Sequence, residues 1–183
     1  MSVVGSFLYP GDMAFTDSEI LMRKAGGEVK DSLSDFGMAT GDIPWPADVT
    51  AKDPGVVDCP GQSGESSYFP DHAAIEAYDL EIEFKCRAYA TRLYDLYSAF
   101  RDYLFGLGEE EGTEMEIYSP WQGIGRRCVR AVSMGDVEFR RDNAGEYASF
   151  KVTFRVCDPV TDIRLVSRLE GNTSLGGTWN FNV

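Results

Sequence analysis

The clearest pattern in the chain is strict alternation over residues 78–89. Leu80, Ile82, Phe84, Cys86 and Ala88 alternate with Glu81, Glu83, Lys85 and Arg87. A two-residue period places every apolar side chain on one face of a strand and every charge on the other. The period then changes. Leu93, Leu96, Tyr97, Phe100, Leu104 and Phe105 recur at helical spacing, which predicts a helix over 91–105 with Thr91 as N-cap and Gly106 as its stop. Met115 and Ile117 mark a short strand, and Ser119-Pro-Trp-Gln-Gly a turn. Residues 126–141 read as a hairpin about Gly135-Asp136, with Met134 facing Val137 and Val132 facing Phe139 on one side. On the other side Ser133 faces Glu138 and Ala131 faces Arg140. A turn at 142–145 leads into a long strand over 146–157, where Ala148, Phe150, Val152, Phe154 and Val156 alternate with Ser149, Lys151, Thr153 and Arg155. Asp158-Pro159 ends it, because proline cannot donate to a ladder.

The flanks are less regular. Residues 1–40 form an N-terminal arm or outer strands: 7–9 and 13–15 read as short strands either side of Pro10-Gly11, and 18–24 as a strand or one helical turn. Residues 41–77 form a loop rich in Pro, Gly, Asp and Ser. Within it Trp45 stands between Pro44 and Pro46. That is either an exposed, rigid anchor for a partner or a cap on the chain's own core, and both readings stay open. Residues 163–183 form a C-terminal strand or tail, in which Trp179, Phe181 and Val183 alternate as a strand able to pair with this domain or a neighbour. No internal repeat occurs. The pattern predicts a mainly β (α+β) fold: an antiparallel β-sandwich or barrel-like sheet, its core over 78–162, with one flanking helix.

Composition narrows the function. Hydrophobic residues make up 43% and aromatic residues 13% of the 183, enough for a packed core. Thirty acidic against seventeen basic residues give a net charge of −13, which argues against a protein that grips nucleic acid, since phosphate neutralisation needs clustered Lys and Arg. It suits high solubility or a surface that repels DNA. No apolar run approaches the roughly twenty residues of a membrane helix. The first residues lack the basic and apolar regions of a signal peptide, so the Asn172-Thr173-Ser174 sequon is read as chance.

The expected chemistry is sparse. Cys59, Cys86, Cys128 and Cys157 are widely spaced without a CxxC, and the single histidine, His72, is near none of them. Four free thiols, no metal and no cofactor are therefore expected. Cys86 shares the apolar face of its strand and reads as a small buried hydrophobe. His72 lies in a loop-like Pro-Asp-His-Ala setting with no evident orienting partner. The chain has no nucleophile elbow and no phosphate-binding loop, and the glycines at 106 and 108 follow a helix instead of leading a strand into one. Glu81 and Glu83 share a face, but alternating charge on a solvent face is ordinary. A non-enzymatic role is expected.

The order strand, helix, strand, hairpin, long strand ending in aspartate-proline resembles phage tail proteins. More narrowly, 80–88 running into a helix over 94–104, then 114–118, 126–132 and 147–159, is similar to the distal tail (baseplate hub) family. Pro60-Gly61-Gln-Ser-Gly64 resembles that family's loop before the same strand, with Gln62 where a basic residue is common. The resemblance covers about residues 60–162 and implies a β-sandwich with a flanking helix, related to the tail-tube fold. It implies a non-catalytic, homo-oligomeric ring, possible as a hexamer, that meets neighbouring tail proteins and passes DNA through its lumen without specific binding. The implied locations are the virion tail and, during assembly, the bacterial cytoplasm. Pro44, Trp45, Pro46, Trp179 and Phe181 are the candidate subunit contacts. Two other classes stay open: a carbohydrate- or protein-binding module using Trp45, Trp121 and Trp179 as a platform, and a monomeric tail assembly factor.

Overall fold

The computed structural model describes residues 3–9, 19–46, 50–53, 56–57, 66–67, 71–88, 93–108, 112–142 and 145–167. In chain order the strands are β1 (Val3–Tyr9), β2 (Leu21–Lys24), β3 (Lys30–Asp31), β4 (Met38–Thr40), β5 (Val56–Val57), β6 (Ser66–Ser67) and β7 (Tyr78–Ala88). Helix α1 (Leu93–Phe105) follows, then β8 (Glu114–Ser119), β9 (Ile124–Met134), β10 (Glu138–Asp142), β11 (Gly145–Val156) and β12 (Asp162–Ser167). Ten strands make one sheet in the order β3-β2-β8-β9-β11-β7-β4. In addition β10 lies on β11, β12 on β9, and β1 on β12, while β5 and β6 pair separately. Every pairing is antiparallel except β1 with β12. The sheet curls into a half-barrel with one flanking helix, so the fold is mainly β, barrel-like in its curvature, as the alternation predicts.

The two strongest alternating segments pair along their whole length: β7 and β11 run from Tyr78↔Val156 to Ala88↔Glu146 without a shift. Leu80, Ile82, Phe84 and Cys86 then share one buried face with Ala148, Phe150, Val152, Phe154 and Val156. Helix α1 lays Leu93, Phe100, Tyr103 and Leu104 onto that face. The Phe84 ring lies 4.9 Å from Phe100, 6.0 Å from Phe150 and 6.5 Å from Phe154, which makes Phe84 the hub of an aromatic cluster. Phe36 closes it from the N-terminal segment, 5.4 Å from Phe100. Thr91 lies outside the described residues. Gly106 ends the helix in the left-handed region at φ 66°, and a Cβ there would sit 2.8 Å from the Gly112 carbonyl oxygen, so no other residue fits this turn.

One predicted element is different. Residues 126–141 are not a hairpin about Gly135-Asp136, and Met134 and Val132 do not face Val137 and Phe139. Instead β9 and β10 run end to end along the same side of β11: Val129 pairs with Val156, Met134 with Val152, Glu138 with Ser149 and Asp142 with Gly145. Four steps from Met134 to Glu138 oppose three from Val152 to Ser149, so 135–137 form a bulge, held by the Gly135 N–H donating to the Lys151 carbonyl at 2.7 Å. The reversal occurs at 142–145. The physical reason is ladder length: continuing straight keeps β10 paired with a twelve-residue strand, where turning at 135 would leave half of β11 without that neighbour.

Two further shifts interrupt β9, one against β11 between Thr153 and Phe154, the other against β8 between Met115 and Ile117. Bulges bend the bulged strand and increase local twist, which helps curl this sheet. Of segment 18–24, residues 21–24 form strand β2, while 13–15 and 18 lie outside the described residues. The long loop is tied at its base, where Lys52 N–H donates to Ala74 C=O at 2.7 Å and Glu76 N–H to Thr50 C=O at 2.8 Å. Residues 163–167 belong to the sheet through β12.

Candidate functional site

Trp45 turns towards its own chain. It is half-buried against the core, while Pro44 and Pro46 on either side are exposed. Its indole N–H donates to Gln122 Oε1 at 3.1 Å, the same oxygen accepts from Ile43 N–H at 3.2 Å, and Gln122 Nε2 donates to the Ile43 carbonyl at 2.9 Å. Gln122 projects from the β8–β9 turn, which closes when Gly123 N–H donates to Ser119 C=O at 2.9 Å. The Arg126 guanidinium lies 5.8 Å from the Trp45 ring and pairs with Asp162 at the start of β12. Burial raises the Tyr78 phenol against the opposing pull of Arg126. This node fastens the proline-flanked arm to the sheet. Of the two readings of Trp45, the structure places it in the inward position; Trp179 and Phe181 lie outside the described residues. Trp121, on the same turn, is 65% exposed.

The second feature is an edge. The β9–β10 line from 131 to 142 pairs with β11 on one side only: β8 reaches no further than Arg130, and among the described residues no strand lies on the other side. Val132, 51% exposed, and Phe139, 53% exposed, lie along it. Near its end a groove of about 350 Å³ is lined by Leu93, Tyr94, Phe139, Arg140, Arg141 and Glu146. The Tyr97 ring lies behind two of these residues, 6.3 Å from Phe139 and 6.4 Å from Tyr94. Arg140 pairs with Glu138 at 2.9 Å and Arg141 with Glu146 at 3.0 Å, so the groove is amphipathic rather than strongly charged. Nothing in the residue pattern announces this edge, because the hairpin expected there would have covered it.

On the outer face of β7 and β11, Lys151 meets Glu81 at 2.6 Å, Arg155 meets Asp79 at 3.1 Å and Lys85 meets Glu83 at 3.5 Å. Asp79, Glu81 and Glu83 therefore balance their basic neighbours, and this face carries no acidic field. Arg23 on β2 and Glu116 on β8 form a buried ion pair at 3.0 Å. Burial lowers the Arg23 guanidinium to about 10 against the pull of Glu116, and burial raises the Glu116 carboxyl against the pull of Arg23. Arg23 Nε and Nη2 both donate to Glu116 Oε2, so the pair joins β2 to β8 as a structural clamp. His72 is exposed. Among the described residues no three His, Cys, Asp or Glu side chains converge as a metal site, and no helix is long and apolar enough to cross a membrane.

The residues that this arrangement brings together are an outward edge with an aromatic groove, and an arm clamped by Gln122. These can bind backbone and apolar side chains; they offer no nucleophile set beside a base. No family model matches the chain, and no curated protein matches it in sequence.

Proposed function

We propose that this chain is a non-catalytic structural subunit of a phage tail or baseplate that assembles with copies of itself into a closed, six-fold ring. The observation that carries the assembly part is the one-sided β9–β10 edge. A long strand edge with open N–H and C=O groups and exposed Val132 and Phe139 invites pairing, and folded proteins either cover such an edge or block it. A ring covers it by laying part of each subunit on the next, and closed symmetry prevents runaway association. The likeness of 60–162 to distal tail proteins supplies the tail assignment. The candidate covering segments are the exposed Pro44 and Pro46 shoulders of the arm and the C-terminal stretch with Trp179 and Phe181. In such a ring the paired face of β7 and β11 does not supply an acidic lumen; the acid excess of the chain lies elsewhere.

The test is mass in solution by light scattering over a concentration series, with negative-stain imaging. Rings are expected for the full chain, and Val132→Lys, which sets a charge on the edge, shifts the mass towards monomer without lowering the unfolding midpoint. Removing residues 176–183 shifts it likewise if that segment covers the edge. A full-length chain that stays monomeric at high concentration refutes the ring.

A further inference from the structure

We infer that Cys128 and Cys157 form a thiol–disulfide site, in which a small-molecule disulfide such as oxidised glutathione converts the two thiols to an internal crosslink between β9 and the end of β11. The argument begins with register. Val129 pairs with Val156, so the next residues outward on the two strands are Cys128 and Cys157. The Cys157 N–H donates to the Cys128 carbonyl at 2.9 Å, which carries the ladder one step past the strand end and sets the two residues directly opposite each other. Residues opposed through such a bond have Cα atoms ~5.5 Å apart, inside the roughly 4.4–6.8 Å window of disulfides.

Both thiols lie at the outer margin of the core: Cys157 is exposed and Cys128 half-exposed, while the adjoining Val129 and Val156 are fully buried. The Cys128 thiol lies beside the carboxylate of Glu114, which is exposed. Both cysteines are unpaired thiols in this structure.

The surroundings hold the pair in place. Arg127 Nε donates to Asp158 Oδ2 at 2.6 Å, so the residue before one cysteine grips the residue after the other. Asp158 Oδ1 in turn accepts from the N–H groups of Val160 at 3.3 Å and Thr161 at 3.0 Å, which fixes the corner into β12. Cys128 itself lies in the left-handed region at φ 51°, uncommon for a residue other than glycine, within the stretch where β9 bulges against β8. The two strand ends are thus held together on both sides of the thiols.

The chemistry has an order. Burial and the Glu114 contact push the Cys128 thiol up to about 11, so it is protonated and a poor first nucleophile at neutral pH. The exposed Cys157 thiol gives up its proton to solvent as its sulfur attacks glutathione disulfide, forms a mixed disulfide and releases one glutathione thiolate, which takes up a proton. Cys128 then attacks the Cys157 sulfur as its proton leaves to solvent or Glu114. The second glutathione departs, with both protein thiols oxidised and one glutathione disulfide reduced to two thiols.

The test treats the full native chain with excess glutathione disulfide, alkylates remaining thiols, and maps peptides by mass. The expected result is loss of two of the four titratable thiols and one linked peptide pair containing Cys128 and Cys157, reversed by dithiothreitol. Cys59→Ser should leave the crosslink intact, and Cys128→Ser should leave a stable glutathione adduct on Cys157. Far-UV circular dichroism should not change on oxidation, while the thermal midpoint rises. A glutathione adduct on Cys157 that persists with Cys128 present, a crosslink to Cys59 or Cys86, or a crosslink between two copies overturns the inference.

Discussion

Phe154→Ala is the sharpest test of the core. Phe154 is 0% exposed, points from β11 into the face covered by α1, and lies 6.5 Å from the Phe84 ring. A buried aromatic hides roughly 150–250 Å². At about 25 cal/mol per Å² that corresponds to ~4–6 kcal/mol, reduced by the methyl group that alanine retains. The measured range for Phe→Ala in cores, about 3–5 kcal/mol including the residual cavity, agrees. We expect a loss of ~4 kcal/mol. The assay is urea unfolding followed by circular dichroism, with the slope unchanged so that the midpoint shift reports stability alone. For a chain of this size the thermal midpoint should fall by roughly 8–16 °C. Phe139→Ala is the paired control: at 53% exposure on the edge it should lose under about 1 kcal/mol in monomeric conditions. A loss below ~1 kcal/mol for Phe154, or a Phe139 loss equal to it, refutes the assignment of these faces.

Other outcomes follow from single contacts. Glu116→Leu removes the carboxylate that balances the buried Arg23 charge and should destabilise by about 3–5 kcal/mol in the same unfolding assay; adding Arg23→Met should recover most of it, because an apolar pair carries no buried charge. Gln122→Ala removes the acceptor of Trp45 and Ile43 together and should cost about 1–3 kcal/mol, with a red shift in tryptophan emission as the arm opens. For Asp158, burial raises the carboxyl, but the hydrogen bonds from Arg127, Thr161 and Val160 outweigh it and hold the group below its ordinary value. A carboxyl depressed in the folded state contributes stability above the ordinary carboxylate range and loses it as pH falls through the depressed value. Asp158→Asn should therefore flatten the acid limb of a stability–pH curve while lowering stability at neutral pH; an unchanged limb refutes the sign.

What the sequence determined alone are the elements whose partners matter least to their pattern. The two-residue period of β7 and β11 and the helical period of α1 are consequences of one buried face each, and a face is written locally, residue by residue. The end of α1 at Gly106 is equally local, since only glycine tolerates that turn. Tertiary structure decided the rest. Val132, Met134, Val137 and Phe139 satisfy either a hairpin at 135 or a straight line with a bulge, because inserting one residue changes which strand is the neighbour without disturbing the local alternation. The choice fell to β11, whose length rewards pairing to its end, and that choice is what exposes the edge at 131–142. The inward position of Trp45 depends on Gln122, 77 positions away, and the Arg23–Glu116 clamp spans 93. Cys128 and Cys157 look unrelated in the sequence and become neighbours only through the register of β9 on β11. Contacts of this kind depend on which strands lie side by side, a property of the folded sheet that no segment carries in its own composition.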